Sequence, residues 1–296
     1  MSPVFSSLSS PPVADEQLIR CDKVLINRAN FGTGGPPLVL LHGVVRRWQD
    51  FEPLIEPLSS QWRLHLLDHR GHGRSSRGDG YRVIDYVADV VSYLEKELRE
   101  PAVLLGHSLG AMVAAAVAAR AGESVRAIIL EDPPFETMGR SISETPILAV
   151  MQAMRDAIEH TDGSVDVMAD HLAATSVPTS DMKGAVTLGE LRSRESLRFS
   201  ASCLADLDSA VLTPIIAGRW LDGFEVTSTL ECLRCPTLLI QADPSCGGML
   251  SDERVLQARK LIPRCTAVRM AGVGHHLHGA DPSTLLRHIQ LFLETV

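Results

Sequence analysis

The serine in the middle of Leu104-Leu-Gly-His-Ser-Leu-Gly110 is the residue best placed by its neighbours to do covalent chemistry. An apolar strand over 102–105 runs into Gly106-His-Ser-Leu-Gly110, and a helix of small residues follows at once. This strand–turn–helix setting is that of a nucleophile elbow. Such a turn strains the backbone at Ser108 and crowds both neighbours, so glycine is needed at 106 and 110, where a Cβ would clash. It lifts the serine oxygen above the sheet, at the positive end of a helix. A serine hydroxyl is a poor nucleophile without a base. Gly272-Val-Gly-His275, in the loop after the last expected strand, supplies an imidazole at the same sheet edge. His275 is therefore the expected base, with His276 and His278 as supporting or surface residues. Backbone N–H groups of Leu109 and Val44 are the expected oxyanion donors. His42 reads as a brace for the loop that carries Val44.

These groups need a scaffold that delivers them to one edge. Continuous apolar runs mark strands at 37–43, 63–68, 102–107, 125–131, 236–242 and 266–271, after an antiparallel pairing between Leu18 and Asn30. Helical spacing appears at 48–60, 83–94, 109–122, 252–262 and 282–294. Repeated strand–helix units with near-continuous apolar strands imply an α/β fold, a mostly parallel, doubly wound sheet covered on both faces. Residues 135–230 break the rhythm, with helical patterns around 144–160, 185–205 and 207–221 and no strand. They read as an all-helical cap inserted above the sheet's C-terminal edge. The expected organisation is a loose tail over 1–16, a core over 17–134 and 231–296, and the cap over 135–230.

The chain has 296 residues, 45% hydrophobic and 22% charged, with a formal charge of −8. That acidic balance, without a Lys/Arg block, argues against nucleic acid as a partner. No apolar run approaches the ~20 residues that span a bilayer, so no membrane partner is expected. The Ser/Pro-rich start does not read as a secretory signal. Six cysteines are scattered, and Cys232-Leu-Arg-Cys235 has no second pair at metal-ligand distance, so they read as ordinary thiols of a reducing, cytoplasmic protein without metal.

Leu41-His-Gly43, Asp68-His-Arg-Gly-His-Gly-Arg-Ser75, Gly106-His-Ser-Leu-Gly110 and Gly274-His275 together resemble the α/β-hydrolase superfamily in their order and spacing. The likeness covers roughly 20–135 and 230–296, and the inserted segment sits where that family carries a cap. It implies a cofactor-free enzyme and a triad in the order Ser, acid, His. The Asp68–Ser75 segment resembles a structural loop of the family. Two loops can supply the acid. Leu130-Glu-Asp-Pro-Pro134 offers Asp132, a position used by certain haloalkane dehalogenases. Gln241-Ala-Asp-Pro-Ser-Cys-Gly247 offers Asp243, two residues earlier than the usual acid. Both stay open. Serine at the elbow disfavours the epoxide- and halide-displacing branches, which use a carboxylate there.

The resulting expectation is an acyl-enzyme hydrolase of carboxylic esters, lactones included, acting on a small apolar ester or related carbonyl substrate; a homodimer is compatible with it. Alternatives with the same scaffold are hydrolysis of a C–C bond in a vinylogous diketone, a cofactor-free haloperoxidase, and a ligand receptor that turns over slowly. Arg46 and Arg47, directly after the oxyanion loop, could clamp a substrate carboxylate or simply pair with acids. Met151, Met154, Met168, Met182, Leu191, Leu197, Phe199, Leu204, Trp220 and Phe224 are the apolar residues from which the cap could build its interior or a pocket wall.

Overall fold

In a computed structural model, residues 14–161, 163–179 and 183–296 are described. Most of the expected tail and Met182 therefore lie outside the described residues. Strand β1 (Asp15–Cys21) already starts within the stretch assigned to that tail. It turns at Asp22, whose φ is 50°, and pairs antiparallel with β2 (Val24–Phe31). Then come β3 (Pro37–Leu41), β4 (Arg63–Leu67), β5 (Ala102–His107) and β6 (Val125–Glu131). Two short strands follow, β7 (Ser176–Pro178) and β8 (Ala185–Thr187), before β9 (Thr237–Ala242) and β10 (Cys265–Met270) complete the set. The main sheet has the order β1-β2-β4-β3-β5-β6-β9-β10. It is antiparallel at β1, β2 and β4 and parallel from β4 to β10.

The strands are apolar because helices cover both faces. Every residue of β3 and β5 is buried, as befits central parallel strands. On one face, the helix Val83–Glu97 presents Val83, Tyr86, Val87, Val90 and Leu94, and the alanine-rich helix Leu109–Arg120 lies beside it. On the other, Glu52–Ser59 and Pro282–Leu293 bury Leu54, Leu58, Leu285, Ile289 and Phe292 against Leu38, Leu40, Val103 and Leu105.

Between β6 and β9 the chain leaves the main sheet over the segment expected to be a cap. Its longer helices are Ile147–His160, Val165–Ala174 and Arg194–Ala205. The cap is not all-helical: β7 and β8 pair as an antiparallel ribbon, and β8 with the short helix Leu188–Leu191 occupies the start of the expected 185–205 helix. Three-residue strands are too short to display a period of two, so the pattern could not show them. Met151, Met154, Met168, Leu197, Leu204, Trp220 and Phe224 are buried in a hydrophobic interior, whereas Leu191 is exposed. No single helix among the described residues is long and apolar enough to cross a membrane.

Candidate active site

Ser108 caps the helix Leu109–Arg120 from the end of β5 with φ 52° and ψ −113°. This region is sparsely used by residues with a side chain, and it is held there by surrounding bonds. The Ser108 N–H donates to the Glu131 carbonyl at 3.0 Å, and the Ser108 carbonyl accepts from Ala111 and Met112. The flanking glycines are sterically required. A Cβ on Gly110 would stand 1.8 Å from the Leu41 carbonyl oxygen, and one on Gly106 2.2 Å from the Gly110 carbonyl carbon. Two further non-glycine residues with positive φ, Val45 (55°) and Asp132 (42°), belong to the loops that meet at this edge.

The left-handed turn at Asp132, immediately after β6, brings its carboxylate to the end of β9 and to the loop after β10. Asp132 is completely buried. Its Oδ2 accepts from His275 Nδ1 at 2.7 Å and from Met249 N–H at 2.8 Å. Its Oδ1 accepts from Ala242 N–H and Leu250 N–H, both at 3.2 Å. All four partners are donors, which an ionised carboxylate can satisfy in full. The bond to Nδ1 fixes the His275 tautomer and leaves Nε2 as the free acceptor.

Asp243 does not reach His275, which corrects its candidacy as the acid. Its Oδ1 accepts from Ser245 N–H at 3.0 Å, Ser245 Oγ at 2.7 Å and Arg269 Nη2 at 3.0 Å. Its Oδ2 accepts from Gly272 N–H at 2.8 Å. The Gly272 N–H, with Ser245 and Arg269, holds the Asp243 carboxyl well below the usual carboxylate range. Its backbone N–H also donates to the Val273 carbonyl at 2.7 Å. Asp243 thus braces the 272–275 loop without touching the imidazole.

His107, one residue before Ser108, ties that loop to the elbow: its Nε2 donates to the His275 carbonyl at 3.0 Å, and the two rings stand 4.7 Å apart between centroids. Burial, reinforced by His275, His278 and His276, pushes the His107 pKa well below 6.5, so the ring is neutral. His275 itself stays partly open, with 21% of its side chain exposed.

The loop that carries Val44 is held by two neutral histidines. His42 Nδ1 donates to the Gly43 carbonyl at 2.7 Å and Nε2 accepts from His69 N–H at 3.0 Å. His72 Nδ1 donates to the Arg70 carbonyl and its Nε2 accepts from Val45 N–H at 3.2 Å. Burial lowers the pKa of His42 to about 4 and of His72 to about 3, which preserves the acceptor nitrogens. Asp68 organises the same region: Oδ1 accepts from Trp48 N–H, and Oδ2 from Asn27 Nδ2 and Arg74 N–H. Among the described residues, the N–H groups of Val44 and Leu109 donate to nothing, and Ser108 Oγ makes no hydrogen bond.

Beside the His275 loop lies an acid–histidine network that sequence reasoning missed. His278 is fully buried, not a surface residue. Its Nδ1 faces Glu131 Oε1 at 2.7 Å and its Nε2 faces Asp50 Oδ2 at 3.1 Å. Both nitrogens meet acceptors, so the ring is an imidazolium. Burial opposes that charge, but Glu131 and Asp50 outweigh it and raise the pKa to about 10. Asp50 also takes His276 Nε2 at 3.1 Å and lies 3.8 Å from Arg46 Nε. Asp50, His276 and His278 have the convergence of a metal-ligand trio, but an imidazolium has no lone pair to give. The signal available in the sequence was Glu131 itself, a carboxylate inside a buried parallel strand, which requires a partner.

Both arginines of the 46–47 pair reach the cap. Arg46 Nη1 donates to Ser200 Oγ at 2.8 Å; Arg47 pairs with Asp206 at 3.0 Å; both guanidinium groups lie over the Phe199 ring, 5.7 and 5.8 Å from its centroid.

The alpha/beta hydrolase fold family profile matches residues 36–282. The chain is 25% identical over 277 residues to a 2-(acetamidomethylene)succinate hydrolase of Mesorhizobium japonicum, covering 92% of each chain. It is 25% identical over 258 residues to an N-formylmaleamate deformylase of Pseudomonas putida, covering 85% of this chain and 86% of the relative. The solved structure of an E-2-(acetamidomethylene)succinate hydrolase superposes with a TM-score of 0.73 at 20% identity, over 95% of this chain and 100% of that one. These relatives are hydrolases, which supports hydrolase activity here. With a matching profile over most of its length and an eight-stranded sheet of this topology, the chain belongs to the alpha/beta hydrolase fold family.

Proposed function

We propose that this protein is a serine hydrolase that cleaves carboxylic esters through an acyl-enzyme on Ser108. The observation that carries the reading is the 2.7 Å contact between Asp132 and His275 Nδ1, in a loop bonded to the residue before a strained serine. In the mechanism, His275 Nε2 takes the Ser108 proton as Oγ attacks the carbonyl carbon. The tetrahedral oxyanion is received by the N–H groups of Leu109 and Val44, each such donor being worth about 3–4 kcal/mol in the transition state. Collapse expels the alcohol with the proton from His275. Water then adds to the acyl-enzyme with His275 as base, the acid leaves, and Ser108 regains its proton. Asp132 orients the imidazole and stabilises its charged form throughout. The test is turnover of p-nitrophenyl acetate and butyrate by wild type and Ser108→Ala. Loss of turnover in intact, folded variant protein is expected; retention of the wild-type turnover number refutes the reading.

A second reading, cleavage of an N-acyl bond by the same machinery, is favoured by the relatives named for an acetamido and an N-formyl compound. A kcat/KM for a small N-acyl enamide far above that for any simple ester would select it.

A further inference from the structure

We propose that His107 is a positioning residue of the hydrolase reaction: the hydrogen bond from its Nε2 to the His275 carbonyl fixes where the base stands relative to Ser108. The inference rests on the hydrolase reading above for the reaction itself, whereas the geometry behind it does not.

The loop that carries His275 is pinned at both ends and, between them, by His107. At its start, the Gly272 N–H and the Val273 carbonyl are both bonded to Asp243. Past its end, the His278 N–H donates to Glu131 Oε1 at 3.0 Å. Asp132 holds the His275 ring at Nδ1, but a bond at the far end of a side chain lets the backbone shift while the χ angles compensate. Among the described residues, the backbone of Gly274 and His275 makes one hydrogen bond, the 3.0 Å contact between the His275 carbonyl and His107 Nε2. His107 is joined to Ser108 by a single peptide bond, so that contact runs from the nucleophile's own turn to the backbone of the base.

The ring has little room to swing away from the carbonyl. His107 is buried, with the His275 and His278 rings 4.7 and 4.9 Å from it between centroids. Its Nδ1 edge lies against Gly43, where an added Cβ would stand 2.8 Å from Nδ1 and 3.4 Å from Ser108 Cβ. Three segments of the site therefore close on one imidazole: the elbow, the loop that begins at Gly43 and the loop of the base.

Packing alone does not explain a histidine here, because an apolar ring would fill the space without a polar atom to desolvate. The His275 carbonyl can only accept, so Nε2 carries the ring proton and Nδ1 a lone pair. Nδ1 is buried without a hydrogen-bond partner, which opposes folding. What the imidazole gives in return is its other nitrogen, bonded to the base loop. Proton transfer from Ser108 Oγ to His275 Nε2 depends steeply on their separation, and a misplacement of ~1 Å costs about 10²-fold in rate.

The experiment compares His107→Phe, His107→Gln and His107→Asn. Phe keeps the bulk and lacks the donor, Gln carries an amide N–H about as far out as Nε2, and Asn carries one that falls short. Steady-state kinetics on p-nitrophenyl butyrate, per folded protein, should show kcat lowered about 10²-fold in Phe and Asn with KM little changed, and most of that loss recovered in Gln. A residue that only stabilised the fold would lower the melting temperature without this split between kcat and KM and without rescue by Gln. If His107→Phe does not fold, the comparison of Gln with Asn carries the test. A second readout needs no turnover: the proton that His275 Nδ1 shares with Asp132 gives a far-downfield proton resonance, assigned by its loss in His275→Ala. It should persist in Gln and broaden or vanish in Phe and Asn. The proposal is overturned if folded His107→Phe or His107→Asn keeps the wild-type kcat, if Gln is as impaired as Asn, or if the resonance is the same in all three variants. Ser108-dependent turnover that is indifferent to His107 would sink this inference and leave the hydrolase reading intact. A His275 resonance that follows His107 in a protein without Ser108-dependent turnover would do the reverse.

Discussion

Replacing His278 by Gln should lower stability in a way that depends on pH with a definite sign. In the folded chain the imidazolium is buried between Glu131 and Asp50 and titrates at about 10; unfolded, a histidine titrates near 6.5. The folded state therefore holds its proton more tightly. This contribution is fully present below pH 6.5 and is lost as pH rises toward 10. At about 1.36 kcal/mol per pH unit over that window, the upper bound is roughly 5 kcal/mol. Removing one member of a buried ion pair costs about 3–5 kcal/mol, in the same range. Gln cannot carry the charge at any pH. Urea unfolding of wild type and His278→Gln from pH 6 to pH 10 reads the gap directly. The wild type should be more stable by about 3–5 kcal/mol at pH 6. The gap should narrow by more than half by pH 9.5. A gap that stays constant across the range would mean that His278 is a neutral filler and that the network has been misread.

Four other substitutions separate the roles of neighbouring groups. Asp132→Asn should cut kcat by about 10⁴, the loss expected when the orienting acid can no longer hold the imidazole tautomer, whereas Asp243→Asn should leave most of kcat and instead lower the unfolding midpoint, because it loosens the Arg269 and Gly272 contacts; steady-state kinetics beside thermal melts would show the split. Gly110→Ala puts a methyl group 1.8 Å from the Leu41 carbonyl oxygen, so soluble yield or melting temperature should fall sharply, and an unaltered melt would contradict the packing described. His72→Phe removes the acceptor of the buried Val45 N–H; it should cost about 1–3 kcal/mol in urea unfolding and lower kcat with little change in KM, since the oxyanion loop loses its brace.

The parts of the site that were legible in the sequence are those whose function is carried by backbone shape. Gly106-His-Ser-Leu-Gly110 can be read because the turn excludes a Cβ at both glycines, and the structure shows the overlaps. The strands of the core were legible because burial on both faces requires unbroken apolar runs, as at Leu38–Leu41. The choice between Asp132 and Asp243 was not legible. Both follow a parallel strand at the same edge, and what separates them is a left-handed φ of 42° at Asp132 and the competing donors of Ser245, Gly272 and Arg269 around Asp243. Neither a backbone angle at a non-glycine residue nor a long-range donor is written locally. The same reason hides His278, whose partners Glu131 and Asp50 lie 147 and 228 residues away in sequence. The segment between β6 and β9 was legible as an interruption of the strand–helix rhythm, but its β7–β8 ribbon was not, since three residues per strand carry no period.

The central claim is that Ser108 becomes a nucleophile by virtue of His275. Intact mass spectrometry after exposure to a fluorophosphonate, followed by peptide mapping, tests it most directly. A single adduct on Ser108 is expected in wild type, with the labelling rate reduced by orders of magnitude in His275→Ala. An unlabelled Ser108 in folded protein, or an adduct that forms at the wild-type rate without His275, would contradict the account.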